Sequence, residues 1–185
     1  MNTVFEGVDY GPLYHFIGSW YGESGTDRAP KPVGDKITDF FETIVFTPVG
    51  DVDNAEQQDL LVLHYHQIVT RKLDGKIYHN QTGYWMWEKG TDRVMYSIAI
   101  PRGVCLIAEG AYTVSNKVTF EVRADVKNDN YSIVQSKFMN QNAKTEAFEI
   151  KLELSEGKLS YEQTTFLDIY GKKFEHTDRN ILSKK

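Results

Sequence analysis

Residues 60–88 constrain the fold more than any other stretch. Two runs rich in Val, Ile, Tyr and Trp, LLVLHYHQIVTRKL and KIYHNQTGYWMWE, are separated by Asp74-Gly75, the pair that most readily takes the positive φ angles of a tight two-residue hairpin turn. With that loop, Leu73 faces Lys76, Thr70 faces His79, His66 faces Gly83 and His64 faces Trp85. Alternation then predicts that His64, His66, Ile68, Thr70, His79, Gln81, Gly83, Trp85 and Trp87 share one face.

Three of the five histidines on one surface raise a metal reading, because His-x-His on a strand can offer two imidazoles to one zinc ion. The predicted partners, Gly83 and Trp85, supply no third ligand. His79 stands about 13 Å along the sheet from His66, too far to share an ion. His64 and His66 therefore read as polar residues of a half-polar wall, with a metal enzyme built on them as the weaker alternative.

The same grammar of alternation and turns runs through the chain. Residues 143–155 and 158–170 repeat the hairpin pattern around Glu156-Gly157. Phe148, Ile150, Leu152 and Leu154 are predicted to share a face with Leu159, Tyr161, Gln163, Thr165, Leu167 and Ile169. Further strands are expected over 37–48, 93–100, 104–109 and 117–125, and 174–182 closes the chain. Gly18-Ser19-Trp20-Tyr21-Gly22-Glu23-Ser24-Gly25 places glycines where a strand must bend or let another group approach. Leu13, Phe16 and Ile17, after Pro12 and before Gly18, predict a short helix suited to plugging a barrel end. Residues 1–10 read as a tail, and 26–36 and 50–58 as long loops. The acidic cluster in the second lacks the spacing of a calcium loop and reads as solvated.

About ten short strands with hairpin connections predict an all-β, antiparallel up-and-down barrel with a short N-terminal helix and an internal cavity, as a single domain over 1–185. The net charge of −5 argues against nucleic acid as the main partner, and no basic patch is visible along the chain. No apolar run reaches the length of a membrane helix and no export signal is visible, so a cytoplasmic protein with no membrane partner is expected. Cys105, in an apolar run, reads as an inert wall residue.

No nucleophile elbow, phosphate loop, zinc-protease helix or dinucleotide motif is present. A set of short motifs in order, Gly18-Ser19-Trp20-Tyr21-Gly22, His79-Asn80-Gln81-Thr82-Gly83-Tyr84, Pro101-Arg102-Gly103-Val104, Leu159-Ser160-Tyr161 and Phe174-Glu175-His176, resembles the nitrobindins. These are haem-binding barrels similar to fatty-acid-binding proteins. The resemblance implies a haem b cofactor with His176 as proximal iron ligand and His79 on the distal side. It places Ile100 and Thr165 at further cavity positions and Trp20 in the family's tryptophan motif, among the cofactor-binding residues. It also implies nitric oxide binding or isomerisation of peroxynitrite to nitrate at the iron. Ser24, where the family usually has glycine, and the longer loops mark departures. The expected partners are small molecules, namely haem, nitric oxide and peroxynitrite, and a homodimer stays open. The alternative is a non-enzymatic carrier of an apolar or amphipathic ligand, with Trp85, Trp87 and Tyr96 lining the cavity.

Overall fold

The computed structural model describes residues 3–185; Met1 and Asn2, part of the expected tail, lie outside the described residues. In chain order the elements are β1 (Val4–Phe5), β2 (Val8–Asp9), a 3-10 helix (Gly11–Phe16), β3 (Gly18–Pro30), β4 (Asp35–Asn54), β5 (Gln58–Arg71), β6 (Ile77–Glu88), β7 (Arg93–Ile100), β8 (Val104–Val114), β9 (Val118–Asp125), β10 (Ile133–Gln135), α1 (Lys137–Asn142), β11 (Ala143–Ser155), β12 (Lys158–Ile169) and β13 (Lys172–Lys184). The sheet order runs β8-β7-β6-β5-β4-β3-β13-β12-β11-β9, and β9 pairs back onto β8, so ten antiparallel strands close into an up-and-down barrel. β10 adds to β8 beside that closure.

Closure depends on the glycine-rich stretch of β3. The ladder to β4 shifts register between Gly22 and Gly25. A side-chain carbon on Gly25 would stand 2.1 Å from the Phe40 ring, and one on Gly22 2.6 Å from the Asn180 amide. A bulge of this kind bends the strand, as the glycine spacing in the sequence predicts.

Several expected boundaries are corrected. β3 continues to Pro30 and β4 begins at Asp35, so the expected loop 26–36 is mostly paired strand; Pro30 sits at a strand end, where its missing N–H costs little. Strand pairing likewise reaches Asn54 and resumes at Gln58, reducing 50–58 to a tight turn with Ala55 and Glu56 at positive φ. Residues 3–10 form a miniature hairpin whose Phe5 and Val8 pack on the core.

The most consequential correction is the register of β5 on β6. The loop is four residues, with the Gly75 N–H donating to the Arg71 carbonyl and the Arg71 N–H to Lys76. Only Gly75 has positive φ, at 69°, and Asp74 instead binds Arg71 through both carboxylate oxygens. That loop alone would keep the predicted faces; a β-bulge at Tyr78, between the Val69–His79 and Thr70–Ile77 pairs, then slips the register by one, so His64 faces Tyr84 and His66 faces Thr82. A one-residue slip inverts a strand: His64 and His66 point outward, bound to Thr82 and Asn80, while His79 points inward. The zinc reading loses its geometry. The Glu156-Gly157 hairpin keeps the two-residue turn, with φ of 50° and 71°, and its predicted face is correct throughout.

One barrel end is filled. Leu13 and Phe16 of the 3-10 helix are buried there, with the Phe16 ring 5.0 Å from Phe120 and 6.0 Å from Phe46. Trp85 lies 4.4 Å from Tyr96 and 5.5 Å from Phe120. Tyr96 stacks on Phe148. Offset and edge-on contacts of this kind each contribute about 1 kcal/mol beyond simple burial. The other end is ringed by the turns after β3, β5, β7 and β12 and by α1, and it opens into a cavity. A concentrated basic surface also exists there, contrary to the sequence reading, because its lysines lie on turns far apart in the chain.

Candidate functional site

The open end holds a cavity of about 310 Å³. Its walls are mostly apolar, with Val104, Leu106, Leu167 and Ile169 among them. His79, His176, Asp27, Asp178 and Arg102 break that lining. All but Arg102, which lies on the turn between β7 and β8, are placed by alternation on barrel strands. His176 and Asp178 are two residues apart on β13 and share its inner face. Thr165 of β12 stands directly opposite His176, and Asp27 of β3 directly opposite Asp178.

Of the residues singled out in the sequence, His176, His79, Ile100 and Thr165 converge on this cavity. Trp20 does not. It is 1% exposed in the filled end, where its indole N–H donates to the Phe16 carbonyl at 2.7 Å; its place in the tryptophan motif reflects anchoring of the plugging helix. Trp85, Trp87 and Tyr96, expected as lining, also belong to the filled end: both tryptophans lie far along β6 from His79, toward the helix, and Tyr96 of β7 pairs beside Trp85. Trp87 lies against Gly11. Cys105 faces outward and is exposed, a wall residue as expected but not a packed one. Asp27 and Asp178 are not singled out by the sequence, and Arg102 only as part of the Pro101-Arg102-Gly103-Val104 motif. Asp178 could have been found from its two-residue spacing to His176.

The His176 imidazole is engaged: Nε2 is 2.6 Å from Asp27 Oδ1 and 3.7 Å from Asp178 Oδ1. Burial pulls the imidazole's pKa down, but the hydrogen bond to Asp27 and the charges of Asp178 and Asp27 outweigh it and the net shift is upward. Like charges directly opposite in a sheet repel. Asp178 accordingly sits well above the usual carboxylate range, through burial and the neighbouring Asp27, with His176 acting against the shift. Among the described residues these three form the only cluster of His, Cys, Asp and Glu side chains with metal-ligand spacing.

His79 is held differently. Its Nε2 lies 2.8 Å from Gln81 Oε1. Gln81 donates to Gln67 at 2.6 Å, and Gln67 donates to Glu42. Tyr161 also donates to that Glu42 oxygen, at 2.9 Å, and Asn180 donates to the other at 2.8 Å. While Glu42 is ionised its carboxylate only accepts, so each amide then presents its oxygen toward His79 and its nitrogen toward Glu42. The direction of this chain makes His79 the Nε2–H tautomer and leaves Nδ1 as an acceptor. Burial lowers the His79 pKa, which keeps the ring neutral. Glu42 is 1% exposed, and burial pushes it up to about 7 despite three donors pulling the other way.

The donor set fits a haem. An imidazole beside two carboxyls lies in a largely apolar cavity, a second imidazole lines the same cavity, and a guanidinium stands at the rim where ionised carboxylates of a ligand would meet water. Ligation through His176 Nε2 requires that atom to exchange its Asp27 contact.

Comparison with known proteins agrees with this geometry. No curated protein sequence matches the chain. Among solved structures, the crystal structure of Rv2717c from M. tuberculosis has a TM-score of 0.69 and 22% identity, over 95% of this chain and 94% of that one, and shares the fold. The model of the THAP4-like, heme-binding beta-barrel domain matches residues 9–184. The chain belongs to that family of haem-binding barrels.

Proposed function

We propose that this chain binds haem b in the open-end cavity with His176 Nε2 as the proximal iron ligand, and that the haem protein binds nitric oxide or isomerises peroxynitrite to nitrate. The observation that carries the reading is the His176 imidazole in the wall of a largely apolar cavity, opposite Thr165 and hydrogen-bonded to Asp27. A ferric haem held by one imidazole supplies an open coordination position at which such small nitrogen oxides react.

The chain's own residues do the rest. Val104, Leu106, Leu167 and Ile169 exclude water from the cavity, which limits escape of reactive fragments. Arg102 at the rim orients an amphipathic ligand by its carboxylates. His176 would hold the iron through Nε2, and Asp178, whose proton affinity burial raises, would take up the proton that this nitrogen shares with Asp27. His79, fixed by Gln81, offers Nδ1 as an acceptor to a protonated ligand.

Titrating the purified protein with hemin tests this. The wild type is expected to develop a Soret band at one equivalent, and His176→Ala to lose the band or shift it to the spectrum of free hemin. A stopped-flow assay of peroxynitrite decay with nitrate quantified then separates isomerisation from binding alone. The apolar wall and Arg102 also suit a carboxylate-headed lipid; native mass spectrometry showing such a molecule, with no hemin uptake, would favour the carrier.

A further inference from the structure

The ring of turns around the cavity mouth differs in charge and polarity from the rest of the molecule. Five segments form it: residues 28–37, 71–76, 101–103, 137–144 and 168–173. They hold 11 of the chain's 21 Lys and Arg but only 3 of its 26 Asp and Glu, so the mouth carries +8 and the remainder −13. The three acids are already neutralised, Asp35 by Arg28, Asp74 by Arg71 and Asp168 by Lys173. Lys31, Lys72, Lys76, Arg102, Lys137 and Lys172 are among the eight cations left over.

Apolar side chains stand at the tips between them. Val33 is 92% exposed, Leu73 89%, Phe138 68% and Tyr170 53%. Each sits on a turn or short helix within two residues of a lysine, and together they encircle the opening. Isolated exposed apolar residues need no explanation, but a ring of them amid unpaired lysines does.

We infer that the mouth docks onto an anionic lipid bilayer, with the tips inserted at the headgroup level and the lysines against the lipid phosphates. Polybasic segments gain roughly fivefold in affinity per cation near such a surface. One weak apolar anchor is insufficient for stable binding, and several combined with a basic patch suffice. The charge distribution alone would also suit a nucleic acid backbone. Val33 and Leu73, however, are short aliphatic side chains that stack on no base, and only a medium with an apolar interior rewards burying them. Docked this way, the cavity opens directly onto the bilayer, so an apolar ligand passes between the two without crossing water. The inference holds whether that ligand is haem or a lipid.

Flotation with vesicles of phosphatidylcholine alone, and of phosphatidylcholine mixed with phosphatidylserine, at physiological ionic strength tests it. The protein should float with the mixed vesicles only. The charge-neutral double variant V33S and L73S should weaken flotation about tenfold, as two shallow anchors are lost. Lys72→Glu with Lys137→Glu should abolish it. Because these positions are exposed, melting temperatures should stay unchanged. As a second readout, Leu73→Trp emission should shift to the blue on adding mixed vesicles. No flotation, or flotation that V33S and L73S together leave untouched, overturns the proposal. So does binding of single-stranded RNA or self-association that the same variants abolish while vesicles are ignored.

Discussion

The two ends of this barrel are built by the same strands, yet one is solid and the other hollow. Inward residues of β6 run Trp87, Trp85, Gly83, Gln81, His79 from the filled end to the mouth, and those of β13 run Leu182, Asn180, Asp178, His176. Apolar residues give way to amides and then to titratable groups on both strands. Glu42, Gln67, Gln81, Tyr161 and Asn180 form a polar layer between the two. Alternation decides which residues point inward; side-chain volume and polarity along each strand decide whether that interior closes or stays open. Stability and ligand binding should therefore be separable along the barrel axis.

The sharpest break would come at the filled end. Phe120 is fully buried and touches Phe16, Trp85 and Tyr112, so Phe120→Ala should cost about 3–5 kcal/mol in chemical denaturation while hemin affinity of the folded protein is unchanged. Thr165→Ala at the mouth should do the reverse, changing stability by less than about 1 kcal/mol and altering hemin affinity.

The polar layer should reveal itself through pH. Burial raises Glu42 from 4.5 to about 7. The folded state thus binds its proton more tightly than the unfolded chain, and that stabilisation is complete below about pH 4.5 and lost as pH rises through 7. Glu42→Gln does not titrate there, so its stability relative to wild type should improve by roughly 3 kcal/mol between pH 4.5 and 8. Denaturation curves at several pH values measure the slope. The same substitution replaces an acceptor-only carboxylate by an amide that also donates, so the direction of the amides is no longer fixed. At a pH above 7, where Glu42 is ionised, long-range nitrogen–proton NMR should show His79 as the Nε2–H tautomer in wild type and a gain of Nδ1–H in the variant.

The smallest effects separate the turns at the two ends. At the mouth, Gly75 has φ of 69°, and Gly75→Ala should cost about 1 kcal/mol. At the filled end Glu156 takes φ of 50°, strained for a glutamate, and Glu156→Asn should gain a few tenths of a kcal/mol. Thermal melts resolve both.

These two turns also show how far the sequence could be read. Both contain an acidic residue followed by glycine between alternating strands, and both suggest a two-residue loop. Glu156-Gly157 has one, and the face it predicts, including Thr165, is correct. Asp74 is instead drawn out of the left-handed conformation by its paired bonds to Arg71 and the loop widens to four residues, while a separate β-bulge at Tyr78 changes the face of the β5 side chains up to Val69 relative to β6. A side-chain ion pair thereby outweighs the local propensity, which no two-residue signal reveals. The barrel, its plugging helix and the bend at Gly22 and Gly25 were legible because periodicity and glycine placement are local. His176, His79, Ile100 and Thr165 were legible through motif resemblance. Asp27 and the basic rim were not, since both exist only once distant segments close into a ring.

The most direct test of the account is a crystal structure of the protein reconstituted with hemin. It should show iron ligated by Nε2 of His176, with Asp27 displaced from that nitrogen, His79 lining the same cavity and the Phe16, Trp85 and Phe120 end unmoved. Iron ligated by any other side chain, or hemin bound outside the barrel mouth while His176 keeps its Asp27 contact, would contradict it.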